Sequence, residues 1–159
     1  MGLAELTLAL ERRSYTWLRG LADRRSPLPA HLLMGERGED AAFFHLRSLG
    51  YTIVGRRWRS ERLPGDLDLI TWDGSTLVVF EVKTRGSRGI APAEMAVDEA
   101  KQEMVRKMAS AYLRQIPSLH RAGLQVRFDV ISVYFETAEP VFEHRRDAFP
   151  RFAEAWRRR

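Results

Sequence analysis

The residues of this chain best suited to chemistry are Asp68, Glu81 and Lys83, set in Gly65-Asp66-Leu67-Asp68-Leu69-Ile70 and Val79-Phe80-Glu81-Val82-Lys83. Both runs otherwise read as buried β-strands. Alternate residues of a strand point to one face, so the charges recur on one side of each run. Two carboxylates that converge in apolar surroundings raise one another's pKa and resist burial unless a cation lies between them. Magnesium meets that need with one or two carboxylates, several waters and a substrate phosphate. The chemistry it supports is hydrolysis of a phosphodiester: an activated water, and stabilisation of the charge that builds on the phosphorus oxygens. Lys83, two residues past Glu81, shares its face and can orient the attacking water or stabilise the pentacovalent phosphate. The competing reading is a structural Glu–Lys pair on a solvated edge. Val78, Val79, Phe80 and Val82 argue instead for a strand buried on both faces.

Those side chains meet only if the elements around them set the right register. Trp72-Asp73-Gly74-Ser75 joins the two runs, and Asp-Gly between apolar stretches is a hairpin signal. A loop with an even number of residues puts Asp66, Asp68, Ile70, Val79, Glu81 and Lys83 on one face, and a two-residue Asp-Gly turn sets Glu81 diagonally across from Asp68. Asp66 either supports Asp68 or only shapes the turn after Pro64-Gly65. Upstream, residues 51–58 alternate as a strand does, and residues 56–64 form a basic loop whose Arg57, Arg59 and Arg62 suit a phosphate backbone.

A helix is predicted over about residues 34–48, with Glu39 on its apolar stripe beside Phe43 and Leu46. Glu36, Glu39 and Asp40 would alternatively complement the dipole of a first helical turn. Beyond the Gly-rich connection 85–92, Met104, Val105, Met108 and Tyr112 mark a helix from about Ala93 or Asp98 to Gln115. Lys101 lies at the edge of that stripe, as a phosphate contact or as a solvated lysine. Residues 124–135 read as a further strand whose Asp129 is a candidate buried structural acid. The order helix, three strands, helix, strand implies an α/β domain with a mixed sheet flanked by helices, the second helix permitting a parallel crossover.

Three segments are expected: an N-terminal helical extension over 1–30, a core domain over 31–150 and a basic tail over 151–159. The extension carries an amphipathic pattern over 3–21 that Ser26-Pro27-Leu28-Pro29 breaks, which reads as a surface helix, docked or mobile. At 159 residues with 45% hydrophobic and 30% charged content, the chain can bury one sizeable core. The absence of cysteine excludes disulfides, zinc thiolate sites and thiol nucleophiles. His31, His45, His120 and His144 include no close pair at metal-ligand spacing, and no serine occupies a Gly-x-Ser-x-Gly turn. No apolar run approaches a membrane span, and arginines interrupt the apolar stretch at the N-terminus, so a cytoplasmic protein without a membrane partner is expected. The formal charge of +5 and pI near 10.1 fit a polyanionic partner, nucleic acid first among them.

Taken in order, Gly35-x-x-Gly38-Glu39, Gly65-Asp66-Leu67-Asp68-Leu69-Ile70, Val79-Phe80-Glu81-Val82-Lys83-Thr84-Arg85, Lys101 and Arg127-Phe128-Asp129-Val130 resemble the YraN-like bacterial proteins. These form a branch of the PD-(D/E)XK nuclease superfamily similar to archaeal Holliday junction resolvases. The resemblance runs from Gly35 to about Phe149 and includes the segment from His144. It implies a restriction-endonuclease-like core, magnesium or manganese held by Asp68 and Glu81, a catalytic Lys83, and Glu39 as the acid of the first core helix. Such proteins usually have glutamate where Asp66 stands and often asparagine where Arg57 stands. The implied activity is hydrolysis of DNA, branched or recombining DNA included, by an enzyme acting as a homodimer, as junction resolvases do. Arg57, Arg59, Arg85 and Lys101 are expected to hold the nucleic acid through its backbone and shape, since no recognition helix or zinc module is evident. The alternative is a non-catalytic nucleic-acid-binding or scaffold protein on the same fold.

Overall fold

The computed structural model describes residues 2–25, 29–86 and 97–152, with the backbone alone at Arg25. Along the chain the described elements are α1 (Leu3–Arg25), α2 (Ala30–Ser48), β1 (Thr52–Trp58), β2 (Leu67–Asp73), β3 (Thr76–Arg85), α3 (Glu99–Leu113), α4 (Ser118–Arg121), β4 (Gln125–Tyr134) and β5 (Val141–Arg145). The five strands form one mixed sheet in the order β1-β2-β3-β4-β5. Neighbours are antiparallel except β3 and β4, which run parallel, and α3 lies in the crossover between them. This is the α/β arrangement the element order implies.

The most apolar run of the chain lies where the sheet needs it. On β3, Leu77, Val78, Val79 and Phe80 are buried on alternating faces. Val79, Ile70, Phe128 and Val130 pack with Val105, Met108 and Ala109 of α3, whereas Val78, Phe80, Leu69 and Ile131 pack with Ala42 and Leu46 of α2. Full burial of one such side chain is worth about 1.5–3 kcal/mol. Both helices are thereby fixed on opposite faces of the strand that carries Glu81 and Lys83.

The hairpin turn differs from the expected one by a single residue. Asp73 still pairs with Thr76, so Gly74 and Ser75 are the loop. Gly74 takes φ 59, and a glycine at the first position of a two-residue loop adopts this left-handed backbone without a Cβ clash. The register then runs Ile70 with Val79 and Leu69 with Phe80, and one further step sets Asp68 opposite Glu81. The two acids are therefore directly opposed across β2 and β3 rather than diagonal, and the face shared by Asp68, Glu81 and Lys83 is the expected one.

Other boundaries moved outward or were hidden in polar sequence. Helix α2 starts at Ala30, directly after Pro29, and not near Met34. Helix α3 starts at Glu99, where the Asp98 side chain accepts from Lys101 N at 2.8 Å; the earlier start considered at Ala93 lies outside the described residues. Two elements were not foreseen: the one-turn α4, and β5, a short edge strand whose Glu143, His144 and Arg145 mask its alternation. Helix α1 extends to Arg25 and docks on α2 through Arg19 with Glu36 and Asp40, Tyr15 with Asp40 at 3.0 Å, and Arg47 with Glu11 at 2.7 Å. No described helix is long and apolar enough to cross a membrane. The basic end Trp156-Arg157-Arg158-Arg159 lies outside the described residues.

Candidate active site

Glu81 is the centre of the site. It is buried at 4% exposure in the middle of the sheet, and its Oε1 accepts from Lys83 Nζ at 2.8 Å and pairs with Lys101 Nζ at 3.1 Å. Lys83 reaches it because residues two apart on β3 share a face. Lys101 reaches it from above: the N-cap at Asp98 fixes the first turn of α3 over that face, and Lys101 belongs to this turn. A lysine that spacing left between solvent and function is thus part of the cluster. Burial works against its charge, but Glu81 and then Asp68 outweigh this and raise its pKa.

Asp68 lies near the start of β2 beside Glu81, and its Oδ2 accepts from Val82 N at 2.7 Å. Its pKa is pushed up to about 7, first by burial and then by the Glu81 carboxylate, while the Val82 amide and Lys101 pull the other way. Both lysines sit on Glu81, so Asp68 carries the uncompensated share of the two acids' repulsion.

The donor set fits a magnesium or manganese ion. Asp68 Oδ1 and Glu81 Oε2 are without a hydrogen-bond partner among the described residues, and a dication between them would relieve the repulsion that raises Asp68. Among the described residues no three acidic or histidine side chains converge on a metal position. Two carboxylates with the remaining positions left to water match the demands of magnesium rather than those of a protein cage.

Glu39 is placed differently. It projects from α2 toward β1, where Arg57 Nε donates to its Oε2 at 2.5 Å and Arg57 Nη1 donates to Glu36 Oε1 at 2.9 Å. Its charge is felt by Asp68, yet its carboxylate belongs to an ion cluster with Arg57 and not to the Asp68–Glu81 pair. Arg57 holds φ 45, the left-handed region that asparagine tolerates better than arginine. Gly38 lets α2 approach this closely, since a Cβ there would land on the Thr84 side chain.

The remaining basic residues split by exposure. Arg59 is 75% exposed and, among the described residues, ion-pairs with Asp66 alone, at 3.7 Å, whereas Arg57 is 35% exposed and doubly paired. Arg85 ends β3 on the Glu81 face, and its buried Nε has no hydrogen-bond partner among the described residues. Ser132, beside Lys83 in the register, is a further buried polar residue of the site face; sequence reading passed over it, though a lone polar residue in Val130-Ile131-Ser132-Val133 was a signal.

Asp129 belongs to a separate, structural network. It is fully buried and accepts from Arg127 at 2.8 and 2.9 Å and from Asp147 N at 2.9 Å, with His144 Nε2 at 2.8 Å. Burial alone would raise its pKa, but His144, Arg127 and the Asp147 amide hold it below the ordinary value. The segment from His144 to Asp147 thus closes over Asp129. Asp40, read as a dipole partner, is likewise a buried acceptor, for Tyr15 and Arg56.

The fold is an α/β domain with a mixed five-stranded sheet flanked by helices, and its site gathers Asp68 of β2, Glu81 and Lys83 of β3 and Lys101 of α3. The family model described as Uncharacterised protein family UPF0102 matches residues 38–133, and the chain belongs to that family. The UPF0102 protein Acid345_3985 of Koribacter versatilis is 43% identical over 121 residues, covering 76% of this chain and 82% of its own. A UPF0102 protein of Rhodococcus opacus is 40% identical over 120 residues, covering 75% of this chain and 98% of its own. The solved structure of Pyrococcus furiosus SfsA in complex with Ca2+ aligns at TM-score 0.31 and 16% identity, over 74% of this chain and 63% of that one. The family match spans Glu39, Asp68, Glu81, Lys83 and Lys101 and excludes α1 and β5.

Proposed function

We propose that this protein is a metal-dependent nuclease that hydrolyses DNA phosphodiester bonds, branched or recombining DNA included. The observation that carries the reading is a buried Glu81 with Lys83 and Lys101 both within 3.1 Å of it and Asp68 beside it, one step beyond the last β2–β3 pair. Asp68 and Glu81 would hold magnesium or manganese, which when bound activates water and stabilises phosphoryl charge. Lys83 is fixed by Glu81, so its ammonium stands ready at the reacting phosphate, the kind of preorganised charge that lowers a barrier without reorganisation. Lys101 neutralises a second phosphate oxygen from the helix side. Glu39 acts from one side through Arg57, setting where that guanidinium meets the backbone. Arg59 and Arg85 extend the basic track, and contacts of this kind read shape and phosphate rather than base sequence. The protein works in the cytoplasm, as a homodimer.

A non-catalytic nucleic-acid-binding role is the second reading, favoured by the way the two lysines already neutralise Glu81. The test is incubation of the purified protein with magnesium or manganese on single-stranded, duplex, flapped and four-way-junction DNA, beside Glu81→Ala and Lys83→Ala. Cleavage lost in both variants with binding retained supports the nuclease. Binding without cleavage by the intact protein, and no metal uptake by calorimetry, supports the second reading.

A further inference from the structure

Helix α1 is built the wrong way round for a helix that only covers the domain. Its half-buried residues are Leu8, Tyr15, Arg19 and Asp23, and it docks through hydrogen bonds and ion pairs. Its apolar stripe lies on the opposite side. At about 100° per residue, Leu3, Leu6, Leu10, Trp17 and Leu21 fall within about 60° of one line along the helix. That line faces solvent: Leu3 is 86% exposed, Leu10 65% and Trp17 66%.

The charges around the stripe select what can cover it. Each acid of α1 is engaged elsewhere: Glu5 accepts from Gly2 N at 2.7 Å, Glu11 holds Arg47, and Asp23 pairs with Arg19 at 3.6 Å. Arg13 and Arg24 flank the stripe, are exposed, and make no ion pair with a described residue. The outward half of α1 therefore offers leucine, tryptophan and arginine with no free carboxylate. A second copy laid on this face would bring arginine to arginine. An anionic bilayer surface answers both features, since the apolar side chains enter the acyl boundary while the arginines reach the headgroup phosphates.

We propose that α1 is an interfacial anchor, which seats the protein on anionic lipid membranes with the helix lying flat. The helix does not have to leave α2, because the docked and apolar faces are opposed. Nor does seating cover the acidic pair, which lies on the α3 face of the sheet while α1 packs over α2. For the extension alone, the proposal departs from the expectation of no membrane partner.

The test is co-sedimentation of the full chain with phosphatidylcholine vesicles, with and without phosphatidylglycerol, beside a Leu10→Asp/Trp17→Asp variant and an Arg13→Gln/Arg24→Gln variant. Both pairs are exposed, so thermal unfolding should match the parent. The expected result is binding to phosphatidylglycerol-containing vesicles at least about tenfold above neutral ones, abolished by the aspartates and reduced toward the neutral level by the glutamines. Absence of binding to anionic vesicles, or binding that survives the aspartates, overturns the proposal. So does light scattering in which the aspartates convert a dimer to monomer, since a second copy would then cover the stripe.

Discussion

Asp68→Asn gives the most direct view of the acidic pair, because its effect on stability must change with pH. In the folded protein the Asp68 carboxyl is raised from the ordinary 3.8 to about 7. Between those values the native state holds a proton that the unfolded chain has released. Stability therefore falls as pH rises through that window and levels off above it. At about 1.36 kcal/mol per pH unit the full loss is roughly 4 kcal/mol, of which about 2–3 falls between pH 5 and pH 8. Asparagine keeps an oxygen for the Val82 amide and has nothing to titrate, so the variant escapes that loss. Urea unfolding of both proteins at each pH is the assay, and groups common to both cancel in the difference. Asp68→Asn should gain on the parent by about 2–3 kcal/mol from pH 5 to pH 8. A stability difference that is the same at both values refutes the argument that Glu81 and burial destabilise the ionised Asp68.

Magnesium at pH 8 should stabilise the parent, by about 2.7 kcal/mol at a hundred times its dissociation constant, and leave Asp68→Asn unmoved in a thermal-shift titration. Asp129→Ala should cost about 3–5 kcal/mol in urea unfolding, because it strands Arg127 and frees His144 and the Asp147 amide together. Since the Asp129 pKa is held low, its contribution in the parent should fade as pH drops below the ordinary carboxylate range. Gly38→Ala should lower stability by about 1–3 kcal/mol through its collision with Thr84, and calorimetric melting of Gly38→Ala with and without Thr84→Ala should show the two changes to be non-additive. Arg59→Ala should reduce the salt slope of DNA binding by about 1, read from fluorescence anisotropy across a salt series.

The chemistry of the site was legible along the chain because it resides in strands. A period of two puts Glu81 and Lys83 on one face of their strand, and an even-numbered hairpin loop adds Asp68 to it. The apolar run over Leu77 to Phe80 likewise declared a central strand, and the helix after it permitted the parallel pairing of β3 and β4. Tertiary structure decided what depends on distance in space. One residue in the hairpin turn separates diagonal from direct opposition of Asp68 and Glu81. Lys101 enters the site only because the Asp98 cap aims the first turn of α3, and Glu39 is diverted because Arg57 bends toward it in a left-handed conformation. The partners of Asp129 lie up to 18 residues away on β4, β5 and the turn after it. Periodicity also marked α1 as amphipathic without saying which face docks; ion pairs with α2 settled that and left its leucines and tryptophan facing outward. Spacing within an element is local and readable from the order of residues, whereas register, caps and docking depend on free energies shared between segments that the chain brings together only on folding.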